Sequence, residues 1–452
     1  MNIGKKRFMS IALAVMMLLT FAVGCTKVDT SGDNQKNGNA EGGNAASAQA
    51  TRAEFEPLKE GEDYHIGIVT GTVSQAEDEF RAAQKAIELY GNADEGGMIR
   101  HDTYPDRFEA EQETTISKIV AMADDPLMRA VIVNQSVPGT SAAFQQIRAK
   151  RPDIILVNLV AQEDTVMAEN NADLAVDADN VSRGYRIVYA AKEMGATKFA
   201  HITFPRHMSI ELLALRRAIM EEACKDLGLE FISLNAPDPT TDIGVPGAQQ
   251  YIAENIQPWI DKYGKDTAFF CTNDAHTEPL LRGVAAGGAI FVEQDLPSPI
   301  MGYPKAFSVD IQDKAGDWQA INKTVEEAVV KAGGGGRMGT WAYSLGYSLT
   351  LGAVDLVQGV LKDEMELTNI DDIIACISKY TEGAHWMGQN YVDRATGEKK
   401  DNHILLAQDT YVYGKGYLGM DKVEVPEKYM KMNVDVDAIE EAQQQAEGET
   451  GE

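Results

Sequence analysis

The chain has 452 residues, 44% of them hydrophobic and 24% charged, with a formal net charge of -28. The composition is that of a globular protein with enough chain for two lobes between about residues 61 and 436. Its acidity argues against nucleic acid as a partner and against a peripheral hold on anionic lipid.

Residues 1–24 are laid out as a secretory signal, with basic Lys5, Lys6 and Arg7 and then an apolar run at 11–21 interrupted only by Thr20. That run is too short and wrongly flanked for a membrane span. It closes on Ala22-Val23-Gly24-Cys25, which resembles a lipobox, although Ala22 stands where Leu is usual. The reading is cleavage before Cys25 and lipidation of Cys25, giving a lipid anchor in the membrane; each buried CH₂ of an acyl chain contributes about 0.8 kcal/mol. Residues 25–60 follow as a linker rich in Gly, Asn, Ser, Ala, Gln and Asp, with almost nothing to bury. As a flexible coil it would reach about 30 Å. The other cysteines are Cys224, Cys271 and Cys376, with no C-x-x-C, so neither a disulfide framework nor a cysteine zinc site is indicated.

A first run of elements then begins. Residues 65–69 read as a strand ending at Thr70-Gly71, followed by a helix with Phe80, Ala83, Ile87 and Tyr90 on one face. A short strand at Met98-Ile99 precedes a loop at 102–106, and the next helix carries Ile116, Ile119, Val120 and Ala123. Residues 130–133 form a strand, Pro138-Gly139-Thr140-Ser141 opens another helix, and strands recur at 154–157 and 174–176. These strands are apolar on both faces, as a parallel sheet covered by helices requires. The pattern repeats after Asp177: a helix stripe of Val181, Tyr185 and Val188, a strand at 199–202, a helix with Leu212, Leu215, Ile219 and Ala223, a strand at 231–234, a helix with Ile252, Ile256, Trp259 and Ile260, and a strand at 267–271. The fold class is therefore α/β, with two doubly wound parallel-sheet lobes joined by a hinge and a cleft between them where strand ends meet. The first lobe spans 61–177 and the second 178–305; 306–436 supply returning hinge and lobe elements, and 437–452 form an acidic tail.

Three segments carry a resemblance. Ile66-Gly67-Ile68-Val69-Thr70, Ala130-Val131-Ile132-Val133-Asn134 and Phe269-Phe270-Cys271-Thr272-Asn273-Asp274-Ala275 resemble the first strand, the strand before the third helix and the Asn-Asp strand end of type I periplasmic binding proteins. That superfamily also supplies the effector domains of LacI-like repressors. The resemblance covers about residues 64–302 and implies a hinged two-lobe fold that binds a small molecule. The Ala-His-Thr-Glu-Pro that follows Asp274 and the length beyond Gly302 depart from the plain sugar binders.

The candidate ligand-binding residues all end strands. Asn273 and Asp274 suit hydroxyls, or an Asx turn capping the next helix. Thr70, Gly71, Thr72 and Ser74 follow the first strand, Gly71 allowing close backbone approach and Ser74 serving equally as an N-cap. Asn134 and Gln135 end another strand. Phe204 is placed to stack on a ring, Arg206 to pair with an anion, and His207 stands beside them, with a surface turn around Pro205 as the alternative. Asp177 belongs to the crossover. Trp341 and Tyr343 begin an apolar helix at 345–361 and read chiefly as core. The glycines at 333–336 lack the Lys-Ser/Thr of a phosphate loop and read as a turn. His276 near Glu278 has no further ligand, so no metal is assigned, and no cofactor.

The implied function is extracytoplasmic, at the outer face of a cell membrane: the solute-binding component of an ABC-type importer, closing on a sugar, polyol or nucleoside and docking on a membrane permease. The alternative is a sensor working through a receptor partner. A surface enzyme is the third reading, but neither G-x-S-x-G nor H-E-x-x-H occurs, and no cysteine has an evident catalytic partner.

Overall fold

The computed structural model describes residues 53–73, 75–314 and 316–434. The signal, Cys25, most of the linker, Ser74 and the acidic tail lie outside the described residues. None of the described helices is long and apolar enough to cross a membrane.

The first lobe opens with β1 (His65–Thr70), α1 (Glu77–Tyr90), β2 (Ile99–Thr103), α2 (Gln112–Met122), β3 (Met128–Asn134), α3 (Thr140–Lys150), β4 (Ile155–Leu159), α4 (Thr165–Asn171) and β5 (Leu174–Ala178). β1 to β5 pair in parallel in the order β2-β1-β3-β4-β5. β1, β3, β4 and β5 are buried on both faces, while the edge strand β2 is only partly buried beyond Ile99. In β3, Ala130 and Ile132 join the core on one side of the sheet, while Val131 and Val133 join Phe144 and Ile147 of α3 on the other. β2 runs on through Asp102 and Thr103, where the sequence suggested a loop, because it pairs with β1 from Ile66 to its end at Thr70.

The second lobe has α5 (Asn180–Glu193), β6 (Lys198–Thr203), α6 (Pro205–Met208), α7 (Glu211–Leu227), β7 (Glu230–Asn235), α8 (Gly244–Tyr263), β8 (Thr267–Cys271), α9 (Asp274–Gly287), β9 (Ile290–Phe291), α10 (Tyr303–Phe307), α11 (Trp318–Lys331) and β10 (Gly339–Trp341). Its sheet repeats the winding as β7-β6-β8-β9. β8 again divides its side chains, Ala268 and Phe270 toward α5 and α7, Phe269 and Cys271 toward the opposite core.

The rest of the chain returns to each lobe in turn. α12 (Leu345–Leu361) packs on α1 and β3, and α13 (Ile370–Ser378) packs on α12. β11 (Trp386–Val392) and β12 (Lys399–Gln408) extend the first sheet beyond β5, with β12 parallel to β5 and β11 antiparallel at the edge. β13 (Thr410–Val412) and β14 (Gly416–Tyr417) pair with β10, and α14 (Glu427–Met430) lies on α5. The chain thus passes between the lobes at 178–180, 342–344 and 408–410. Trp341 and Tyr343 stand in β10 and at the second crossing, ahead of the apolar helix that the sequence had them begin. Cys224, Cys271 and Cys376 are buried free thiols.

Candidate functional site

Parallel strands of the two lobes end toward the crossings, and the loops after those ends carry the polar side chains. From the first lobe, the β1–α1 loop and the first turn of α1 supply Gly71, Asp78 and Glu79; β2 leads into Tyr104; β3 ends at Asn134-Gln135. From the second lobe, β6 ends at Phe204, β8 at Thr272-Asn273-Asp274, and the segment after β9 carries Glu293, Gln294 and Asp295.

Electrostatics ties the two sets together. Burial first, and then the charges of Asp295, Glu79 and Asp78, hold the Asp274 carboxyl well above the usual carboxylate range. Asp274 of one lobe therefore lies within reach of Asp78 and Glu79 of the other. Its Oδ1 is sealed from solvent without a hydrogen-bond partner. Glu79, 4% exposed, accepts a hydrogen bond from Gln135 Nε2 at 3.1 Å, and Gln162 Nε2 donates to Gln135 Oε1 at 3.1 Å. Burial, followed by the Asp78 charge, pushes Glu79 up to about 7. Asp78 is raised to about 6, again by burial first, although it accepts bonds from Ser344 and Ser298. Glu79 lies so close to α12 that a Cβ on Gly346 would meet its carboxylate and force that side chain to move.

Gln135 adopts φ 49. A non-glycine residue in the left-handed region is strained by roughly 1–3 kcal/mol, a cost that persists only where surrounding contacts fix it, and such residues cluster at ligand sites. Here the fixing contacts are Glu79, Gln162 and the Asn134 side chain, which accepts from the Gln135 N–H at 2.7 Å.

The other predicted residues have partners within the protein. Asn134 is buried, and its amide donates to Gly346 O at 3.0 Å and to Thr350 Oγ1 at 2.8 Å, both on α12. Asn273 caps α9, accepting from the Ala275 N–H at 2.9 Å. Thr70 Oγ1 donates to Gly71 O at 2.8 Å and lies 2.9 Å from His101 Nε2. Thr72 Oγ1 donates to Asp106 at 2.5 Å. Arg206 grips Asp238 through Nε at 2.7 Å and Nη2 at 3.2 Å, its guanidinium 5.4 Å from the Phe204 ring centre. Phe204 is buried beneath it, against the His207 ring. His207 Nδ1 stands 3.2 Å from Thr272 Oγ1, and burial pushes its pKa down to about 4, so the ring is neutral at pH 7. Asp177 lies at the first crossing, 2.8 Å from His403 Nε2.

Several residues at this site were not singled out from the sequence. The acidic triplet at 77–79 reads as an exposed complement to a helix dipole, and only the packing of α12 buries two of its members. Asn180, Arg183, Arg216, Glu293 and Trp341 form a buried network beside the crossings. Arg183 Nε donates to Glu293 Oε1 at 2.9 Å, Trp341 Nε1 donates to Glu293 Oε2 at 3.1 Å, and Arg216 donates to Asn180 at 2.8 Å and pairs with Asp295. His276, raised earlier as half of a metal pair, faces the Pro237 carbonyl at 3.0 Å, while Glu278 pairs with Arg282. Among the described residues, the group with donor atoms close enough to share a metal is His385, Asp409 and Asp421, near the third crossing.

Two doubly wound lobes in this strand order, with the chain passing three times between them beside a polar cleft, define a type I periplasmic-binding-protein fold, the fold of solute-binding proteins and LacI-like regulators. The chain belongs to the family described as "Protein of unknown function (DUF3798)", whose model matches residues 64–339. An uncharacterised protein of Treponema pallidum (strain Nichols) is 45% identical over 180 residues, which are 39% of this chain and 81% of that one. Among solved structures, a candidate transcriptional regulator from Clostridium difficile 630 superposes with a TM-score of 0.64 at 24% identity, over 77% of this chain and 99% of that one. An ABC transporter periplasmic solute-binding protein from Actinobacillus succinogenes 130z, with bound D-allose, aligns more loosely, with a TM-score of 0.44 at 14% identity over 67% of this chain and 93% of that one. The superposition on the regulator bears on fold and leaves the ligand to the site.

Proposed function

We propose that the protein is an extracytoplasmic solute-binding lipoprotein of an ABC-type importer, anchored through Cys25, whose lobes close on a small polar solute rich in hydroxyl groups. It is a binder and not an enzyme. The observation that carries this reading is the meeting of Gln135 and Glu79 from one lobe with Asp274 from the other, within electrostatic reach, on strand ends that face the crossings. A solute touching both sets would favour the closed arrangement by the contacts it makes only there. The lipobox supports the anchor, and the linker supplies the reach that a domain working above a membrane needs. The charge of -28 is consistent with the absence of a nucleic-acid partner.

The test is a thermal-shift screen of the folded domain against sugars, polyols, nucleosides and their amino derivatives. A ligand at 100 times its Kd adds about 2.7 kcal/mol, or about 3 °C for a chain of this size. The reading expects at least one such hit, lost when Gln135→Ala and Asp274→Ala are combined. A hit that survives the double change would move the binding site elsewhere.

A further inference from the structure

The carboxylates of the cleft fall into two kinds. Asp295 is answered by the Arg216 guanidinium, and Asp238 by Arg206. Asp78, Glu79 and Asp274 are answered by neutral groups or by nothing: Ser344 and Ser298 bond Asp78, Gln135 bonds Glu79, and Asp274 Oδ1 is enclosed and without a partner. The charges that act on these three are all negative: Glu77 on Asp78, Asp78 on Glu79, and on Asp274 first Asp295 and then Glu79 and Asp78; no Lys or Arg is among them. Asp78 and Glu79 are 8% and 4% exposed, so water screens them poorly.

Buried charge without a counter-charge is expensive, and amides of the same shape would fill these positions at less cost. Several buried carboxylates elsewhere do have cations, Asp173 with Arg148, Glu293 with Arg183 and Asp355 with Lys379. A metal ion fits poorly, because Asp78, Glu79 and Asp274 are not among the described groups whose donor atoms converge closely enough to share one. An ammonium group makes no such demand. It carries three donors that can be shared among separated oxygens, and a second amine or a hydroxyl on the same solute can reach the next acceptor.

We infer that the solute of this cleft is a small organic amine, an amino sugar or a short polyamine, whose ammonium sits between Asp78 and Glu79 of the first lobe and Asp274 of the second. This rests on the solute-binding reading and narrows it from neutral hydroxylated compounds to cations. Such a ligand bridges the lobes through charge, so its binding free energy bears directly on closure. Its affinity depends on pH in a fixed sense. The free cleft holds its carboxyls partly protonated, the ammonium needs them ionised, and affinity rises as pH climbs through the range where Asp78 and Glu79 titrate. The groups facing them are Glu77, Ser298, Gln135, Ser344, Asp274 and Tyr347, with Tyr104 beside Glu79 and Asp295 beside Asp274.

The experiment is calorimetric titration of the folded domain with glucose, ribitol, glucosamine, putrescine and spermidine, and with manganese and calcium chlorides, at pH 5.5 and 7.5. At least one amine should bind at pH 7.5, at least tenfold more tightly than either neutral compound, and at least fivefold more tightly than at pH 5.5. Asp274→Asn should weaken that amine at least tenfold while melting within a few degrees of the parent, since the enclosed Oδ1 of this carboxyl has no hydrogen-bond partner to lose. Binding of glucose or ribitol with the amines ignored would overturn the amine and leave the solute-binding reading standing. Binding of the divalent ions alone, abolished by Asp274→Asn, would overturn the amine in favour of a metal. Failure of every compound to bind would overturn the amine and weaken the solute-binding reading with it.

Discussion

Two clusters of buried carboxylates lie in the first lobe or at its edge, and they are built on opposite plans. Between β5 and β12, His403 is fully buried with Nε2 2.8 Å from Asp177 and Nδ1 3.5 Å from Glu169, and Lys400 reaches Glu169 at 3.2 Å. Burial alone would lower the His403 pKa, but the bonds and charges of its two carboxylates outweigh it and raise the pKa to about 9. Two anions there meet two cations. In the cleft, Asp78, Glu79 and Asp274 meet one another and no cation. The comparison separates a cluster that fastens a strand to a sheet from one that stores unfavourable charge at the place where the lobes meet. The second arrangement persists in a folded protein when something other than stability selects it.

The two clusters should respond oppositely to mutation. His403→Ala leaves Asp177 and Glu169 buried with fewer partners and should cost about 3 kcal/mol, read as a fall in the urea midpoint. A cost below about 1 kcal/mol would mean that Lys400 and the Ala161 N–H, which donates to Asp177 at 2.8 Å, already neutralise the pair.

A smaller effect with its own pH signature is expected in the cleft. The folded-state pKa values of Asp78 and Glu79, about 6 and about 7, lie above those of the unfolded chain. The folded state therefore binds more protons, and the stability these groups contribute is fully present below about pH 4 and is lost as pH rises through 6 to 7. Glu79→Gln removes one titration, so the variant should gain on the parent by on the order of 2 kcal/mol between pH 4.5 and 7.5. His403 titrates in a different window: its contribution is full below about pH 6.5 and is lost as pH rises through about 9. Denaturant melts at pH 4.5, 7.5 and 9.5 distinguish the two clusters, and equal losses of parent and Glu79→Gln between 4.5 and 7.5 would count against the cleft's charge imbalance.

How much of this was readable in the sequence follows the same division. The two windings were legible because β1, β3, β6 and β8 are apolar on both faces and are separated by helical stripes, a pattern that local physics produces without distant help. The stripe on α1 was read too broadly: Ala82, Ala83 and Ala86 are buried, while Phe80 and Tyr90 are only partly so. β11 and β12 were not resolved as strands, since β12 starts with exposed polar residues and becomes a strand by pairing with β5 across more than 200 residues of chain. At the site, Asp274 and Gln135 could be named because they end strands. Asn134 could be named for the same reason, but its amide is occupied by α12, a helix 212 residues away in sequence. Asp78 and Glu79 were hidden because nothing local distinguishes a buried helix start from a solvated one. Arg206 was read as available to an anion because its partner Asp238 comes 32 residues later, beyond β7.

The measurement that tests the central claim most directly is the proton balance of ligand binding, taken from calorimetry of the best-bound amine at pH 6.5 in two buffers of different ionisation enthalpy. The claim is that charge stored in the cleft is completed by the solute, so binding should release at least about half a proton as Asp78, Glu79 and Asp274 ionise. Binding with no proton exchanged, or with protons taken up, would contradict it.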